Sequence, residues 1–207
     1  MGKFITFEGG DGSGKTTQLL RTVDWLKSRG EDVLQTFEPG DSPLGKEIRH
    51  LLLSGEHTPV AETELLLFLA DRAQHVQQVI KPALEAGQVV VCDRYTDSTL
   101  AYQLAGRALE DNQTLRDMLR WAECGLSPDV TIWLDLSVED AALRMAERQA
   151  GGEAANRLDK EKTSFHQAVY QAFDSIQKDN PQRVKRIDAR QSIEDVQADI
   201  QAVLSQP

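Results

Sequence analysis

Residues 9–16 read Gly9-Gly10-Asp11-Gly12-Ser13-Gly14-Lys15-Thr16, a match to G-x-x-x-x-G-K-[ST]. No other feature limits the fold as tightly. The run follows a short apolar segment at residues 4–7 and leads into an amphipathic pattern with Leu19, Leu20, Val23 and Leu26 on one stripe and Gly30 at its stop. Strand, glycine-rich loop and helix in that order form a cradle for phosphate: successive backbone N–H groups turn toward one anion, and the helix N-terminus adds its dipole. Lys15 is expected at the β- and γ-phosphates, and the Thr16 hydroxyl at Mg²⁺, with Gly9, Gly10, Asp11, Gly12, Ser13, Gly14 and Thr17 completing an ATP-binding loop.

The rest of the chain repeats the same alternation. Short β-branched runs at 4–7, 32–36, 89–92, 130–134 and 183–187 alternate with helical patterns near 15–29, 44–54, 61–87, 97–123, 138–149, 160–179 and 192–205. Val89-Val90-Val91 and Thr131-Ile132-Trp133-Leu134 are nearly continuous apolar runs, as strands covered on both faces require. The expected fold is α/β: a five-stranded parallel sheet flanked by helices, a three-layer sandwich of the P-loop NTPase type. Its 207 residues form one domain, and chemistry belongs at the carboxyl ends of the strands.

Lys plus Arg number 23 against 33 acidic residues, a formal charge of −10, which argues against a nucleic-acid backbone as partner. The longest apolar run, Leu65 to Ala70, is too short to span a bilayer, and the opening residues do not read as a secretory leader. Cys92 and Cys124 cannot make a disulfide framework, so a cytoplasmic setting is expected. The four histidines show no metal-ligand spacing.

Three further segments carry candidate chemistry. Asp11, set among phosphates, should turn away from them, toward a hydroxyl of a second substrate, a nearby arginine or solvent. After the second strand, Glu38-Pro39-Gly40-Asp41-Ser42-Pro43 makes a stiff loop, with Arg49 following on a helix, where it faces either an anion or solvent. After the third strand, Asp93 either holds Mg²⁺ or caps the strand in an ion pair, and Arg94 has the geometry for a bidentate grip on phosphate. Thr99 and Gln103 share one helical face, with side chains suited to a base edge.

The run Val91 to Gln103, with Asp93-Arg94-Tyr95 and Tyr102-Gln103, resembles the signature of thymidylate kinases. So do Phe7-Glu8-Gly9 to Thr17, Glu38-Pro39-Gly40, Phe68 to His75 and Asn156-Arg157-Leu158-Asp159. The resemblance covers nearly the whole chain and implies transfer of the ATP γ-phosphoryl group to dTMP, with Mg²⁺ as cofactor. It implies that Asp11 sits by the sugar 3′-hydroxyl and that Arg49 and Arg94 hold the dTMP phosphate. It places Phe68 on the thymine ring, Arg72, Thr99 and Gln103 at the base, Tyr102 by the sugar, and Glu38 among the dTMP-binding residues.

The resemblance further implies a lid at about residues 144–160 that donates a catalytic arginine. Arg157 is expected first and Arg148 second. Arg144 is read as helix-surface charge, with Asp140 and Glu147 at helical spacing. It also implies a homodimer packed along Leu65-Leu66-Leu67-Phe68-Leu69. Two positions depart from the family's pattern: Phe37 stands where Arg is common, and Asp41 where Gly is usual. The rival readings are a kinase for another nucleoside monophosphate or a deoxynucleoside, and a nucleotide-dependent switch ATPase; no N-K-x-D guanine-reading motif occurs.

Overall fold

Alternate residues of the first strand face opposite ways, and both faces are apolar. In the computed structural model, which describes residues 2–54, 57–152 and 157–206, Ile5 and Phe7 pack on one side of the sheet and Phe4 on the other, all almost wholly buried. That two-sided burial puts β1 (Phe4–Glu8) at the centre.

The other strands are β2 (Val33–Phe37), β3 (Val89–Asp93), β4 (Val130–Asp135) and β5 (Val184–Asp188). All pairings are parallel, in the order β2-β3-β1-β4-β5. Each observed strand overlaps its expected run with bounds shifted by one residue at most. Strand order reverses at β1, so the crevice for ligands opens at the carboxyl ends of β1, β3 and β4.

Helices cover both faces. On one, α1 (Lys15–Ser28) and α9 (Ile193–Leu204) set Leu19, Val23, Leu26, Val196 and Ile200 against Ile5, Phe7, Val91 and Leu134. On the other lies a continuous helix. It begins as α3 (Ala61–His75), widens to a π turn at Val76–Ile80 and ends as α4 (Lys81–Glu85). Val76, Ile80 and Leu84 pack there on Phe4, Val90 and Cys92. Beside it, α8 (Thr163–Asp179) packs Phe165, Val169 and Phe173 on Trp133, Val184 and Tyr102.

The remaining helices frame the crevice: α2 (Pro43–Leu53), α5 (Thr96–Thr99) with its π continuation Leu100–Gly106, α6 (Gln113–Ala122) and α7 (Val138–Ala150). One expected helix is two. The pattern at 97–123 breaks after Gly106, where Ala108 takes a left-handed backbone (φ 54), and restarts at Asn112, whose side chain accepts the N–H of Leu115. A side-chain cap of this kind competes with helix propagation, so the apolar period survives while the helix does not.

Candidate active site

A single cleft of ≈1270 Å³ runs along the carboxyl ends of the strands, from the glycine-rich loop to α3 and α5. Its floor at one end is the loop between β1 and α1. Gly12 has φ 83, and a Cβ there would come within 2.8 Å of the Ala141 carbonyl, so no larger residue fits the turn. Gly14 precedes α1 in a left-handed conformation and offers no side-chain cap. The first N–H groups of α1 are therefore left for a ligand. Ser13, Thr16 and Thr17 line the cleft beside them.

Lys15 is buried, and its Nζ donates to the carbonyls of Gly9 and Gly10, both at 3.0 Å. Burial and the neighbouring Arg94 hold its ammonium below the usual lysine value. Asp93, at the end of β3, has one carboxylate oxygen buried without a hydrogen-bond partner among the described residues. An unsatisfied acceptor at the cleft, next to a phosphate cradle, is what a hard cation would complete.

Arg94 joins the loop to the far wall. Its Nη1 donates to the Gly9 carbonyl at 3.1 Å and to Ser98 Oγ at 3.0 Å. Its Nη2 reaches Asp11 Oδ1 at 2.7 Å and Tyr102 Oη at 3.2 Å, and the guanidinium lies over the Tyr102 ring. Arg94 itself holds a left-handed backbone, φ 68, which costs about 1–2 kcal/mol for a residue with a Cβ. Asp11 thus pairs with an arginine, one of the outcomes open from sequence, and also accepts from Tyr102 Oη at 3.2 Å.

The opposite end is a buried polar chain. Glu38 binds Arg72 (Nε 2.9 Å, Nη2 2.8 Å) through one oxygen and His75 Nδ1 (2.9 Å) through the other. Arg72 also donates to Thr99 Oγ1 at 2.9 Å and stacks over Tyr95. Gln103 donates to Glu64 at 2.9 Å. Phe68, half-buried on α3, lines the cleft with Arg72, Thr99 and Gln103, and Glu38 and Arg49 close the side formed by the loop after β2. Glu38 is thus tied to Arg72 rather than left free, and Arg72 is fixed at the cleft wall by its partners.

The lid residues divide. Arg148 and Arg144, both on α7, line the cleft. Arg144 departs from its expected place on the helix surface: it donates to the Ala189 carbonyl at 2.8 Å. Arg157 does not line the cleft; its guanidinium binds Glu64 and donates to the Leu52 carbonyl at 3.1 Å. Asn156 lies outside the described residues, as does the lid between 153 and 156.

Glu64 was missed by sequence reasoning. It is buried and collects Gln103, Arg107 and Arg157, partners 39, 43 and 93 residues away. A single glutamate in an amphipathic helix carries no sequence signal for that. Glu8 was missed as well. It accepts the N–H groups of Tyr95 (2.8 Å) and Ser98 (3.3 Å) and the Ser98 hydroxyl (2.5 Å), and so fixes the turn that presents Arg94.

Residues 7–200 match a family model described as Thymidylate kinase. A thymidylate kinase from Synechococcus sp. (strain JA-2-3B'a(2-13)) is 48% identical over 202 residues, 97% of this chain and 93% of that one. One from Nostoc punctiforme is 47% identical over 206 residues, 98% and 95% of the two chains. Among solved structures, the thymidylate kinase from Ehrlichia chaffeensis superposes with a TM-score of 0.79 at 32% identity, covering both chains entirely.

Proposed function

Because the chain belongs to the thymidylate kinase family, we propose a division of labour along the cleft for its reaction. The enzyme transfers the γ-phosphoryl group of ATP to dTMP, giving dTDP. The observation that carries the assignment of sites is that one cavity joins the glycine-rich loop to the Phe68, Arg72, Thr99 and Gln103 wall, with Arg94 between them.

ATP lies with its phosphates on residues 9–17. Lys15 exchanges its two carbonyl contacts for phosphate oxygens. Mg²⁺ would be held by Asp93 and Thr16, supported by the unpartnered buried oxygen of Asp93 and the exposed position of Thr16 at the start of α1. When bound it neutralises charge on the β- and γ-phosphate oxygens.

dTMP lies with its phosphate toward Arg94 and Arg49. Its sugar 3′-hydroxyl is near Asp11, its deoxyribose against Tyr102, its ring on Phe68, and its polar edge at Arg72, Thr99 and Gln103. Glu38 acts through Arg72, whose guanidinium it anchors. No strong base is required, because a phosphate monoester is largely dianionic at neutral pH. Catalysis is positioning and charge neutralisation by Lys15, Arg94 and the lid. Arg157 supplies the lid charge after leaving Glu64, with Arg148 second. The whole chain acts as one kinase domain with its lid at about residues 144–160.

A homodimer through α3 fits Leu66, which is 52% exposed, while Leu65 and Leu69 face inward. Trp121 on α6, a helix that packs against α3, is 79% exposed. No described helix is long and apolar enough to cross a membrane. A cytoplasmic setting is supported by the two free cysteines, Cys92 and Cys124. ADP release measured with dTMP, dUMP, UMP, AMP and thymidine in turn tests the acceptor assignment. Fastest turnover on dTMP is expected; equal turnover on AMP would remove the base-reading wall from the account.

A further inference from the structure

Phe37, the last residue of β2, stands at the cleft where a phenyl ring can donate nothing to a phosphate. It is 38% exposed and belongs to none of the four hydrophobic clusters of described residues. Core packing therefore does not account for it. Its ring instead faces Arg49, whose guanidinium carbon lies 5.4 Å from the ring centroid. That is within the range at which the ring quadrupole attracts a cation.

Two other contacts fix the same side chain. Arg49 Nη1 donates to the Pro39 carbonyl at 2.6 Å. Its stem runs over Gly40 (φ 118), where a Cβ would come within 2.7 Å of Arg49 Cδ. The other two arginines of the acceptor side are held by carboxylates, Arg72 by Glu38 and Arg94 by Asp11. Arg49 has no carboxylate partner among the described residues. A ring, a carbonyl and a glycine hold it, and none of them cancels its charge.

We propose that Phe37 is a positioning residue that holds the Arg49 guanidinium in the cleft for the dTMP phosphate while leaving its charge uncompensated. The proposal rests on the reading of Arg49 as a ligand of that phosphate. It also gives position 37 a role that an arginine would not fill: two guanidinium groups side by side would repel, whereas a ring attracts.

The test is steady-state kinetics on Phe37→Leu, Phe37→Trp, Arg49→Ala and the double variant Phe37→Leu/Arg49→Ala, with thermal melts as a folding control. An exposed cation–π contact corresponds to a factor of about 2–5. Phe37→Leu is expected to raise KM for dTMP by about that factor, with KM for ATP and kcat unchanged. Phe37→Trp, which retains the ring face, should keep or lower KM for dTMP. In the Arg49→Ala background, Phe37→Leu should add nothing. An unchanged KM for dTMP in Phe37→Leu, or the same increase with Arg49 absent, overturns the proposal while Arg49 keeps its place. If Arg49→Ala alone leaves KM for dTMP unchanged, the assignment of Arg49 itself fails, and Phe37 falls with it.

Discussion

Nη2 of Arg94 lies 2.7 Å from Oδ1 of Asp11, joining the turn after β3 to the glycine-rich loop across 83 residues of chain. Burial alone would raise the Asp11 carboxyl. The charges of Arg94 and Lys15 and the Tyr102 hydroxyl outweigh it, and the group is pulled down to about 2. A depressed folded value stabilises the fold above the ordinary pKa of 3.8, and that stability is lost as pH falls through about 2. Asp11→Asn is therefore expected to lose on the order of 2 kcal/mol in urea denaturation, equally at pH 7 and pH 5. It should also raise KM for dTMP by roughly 10-fold as Arg94 loses its anchor. A stability loss at pH 7 that disappears by pH 5 would contradict the depressed carboxyl.

Glu8 shows the opposite sign. Burial, and then the charge of Asp97, push its carboxyl from 4.5 up to about 7. The folded state binds the proton more tightly than the unfolded one, so stability should fall as pH rises from about 4.5 to 7. Asp71 is raised to about 7 by burial and Glu38 and adds a similar slope. Glu8→Gln keeps an oxygen for the two backbone N–H groups. It should flatten that slope by up to about 1.4 kcal/mol per pH unit, read from denaturation midpoints at several pH values. An unchanged slope would remove Glu8 as a titrating group.

Arg157→Ala should lower kcat by about 100-fold or more and leave KM for dTMP nearly unchanged, as loss of a transition-state cation does. The contact with Glu64 adds a second expectation. Glu64 is buried and also carries Gln103 and Arg107, so Glu64→Gln should raise KM for dTMP through Gln103 as well as alter lid closure. Unchanged turnover in Arg157→Ala would shift the lid role to Arg148, which already lines the cleft.

Leu66→Glu places a charge on the exposed face of α3 and leaves the inward Leu65 and Leu69 in place. Sedimentation at micromolar concentration should show a dimer for the parent chain and a monomer for the variant. A parent chain that is monomeric there would refute the dimer.

The sheet and the phosphate loop were readable because they are local. Two-sided apolar strands and G-x-x-x-x-G-K-[ST] are patterns of neighbouring residues, and the five strand runs emerged within a residue of their expected bounds. What could not be read is held by contacts between distant segments. The helix expected at 97–123 ends at Gly106 because a backbone turn at Ala108 and the Asn112 cap intervene. The place of Arg157 depends on Glu64, 93 residues away, and that of Arg144 on a backbone carbonyl after β5. Phe37 was visible only as a departure from pattern; its contact with Arg49 depends on where that side chain reaches from α2.

On the proposed assignment the cleft joins a phosphoryl donor site to an acceptor site for dTMP. Incubation with γ-labelled ATP and an equimolar mixture of dTMP, dUMP, UMP and AMP, followed by separation of products, reads both sites at once. The label should accumulate in dTDP, and Asp93→Asn should slow its appearance by roughly 100-fold or more. Label released mainly as inorganic phosphate, at a rate indifferent to the acceptors, would mark a nucleotide-hydrolysing switch and contradict the account.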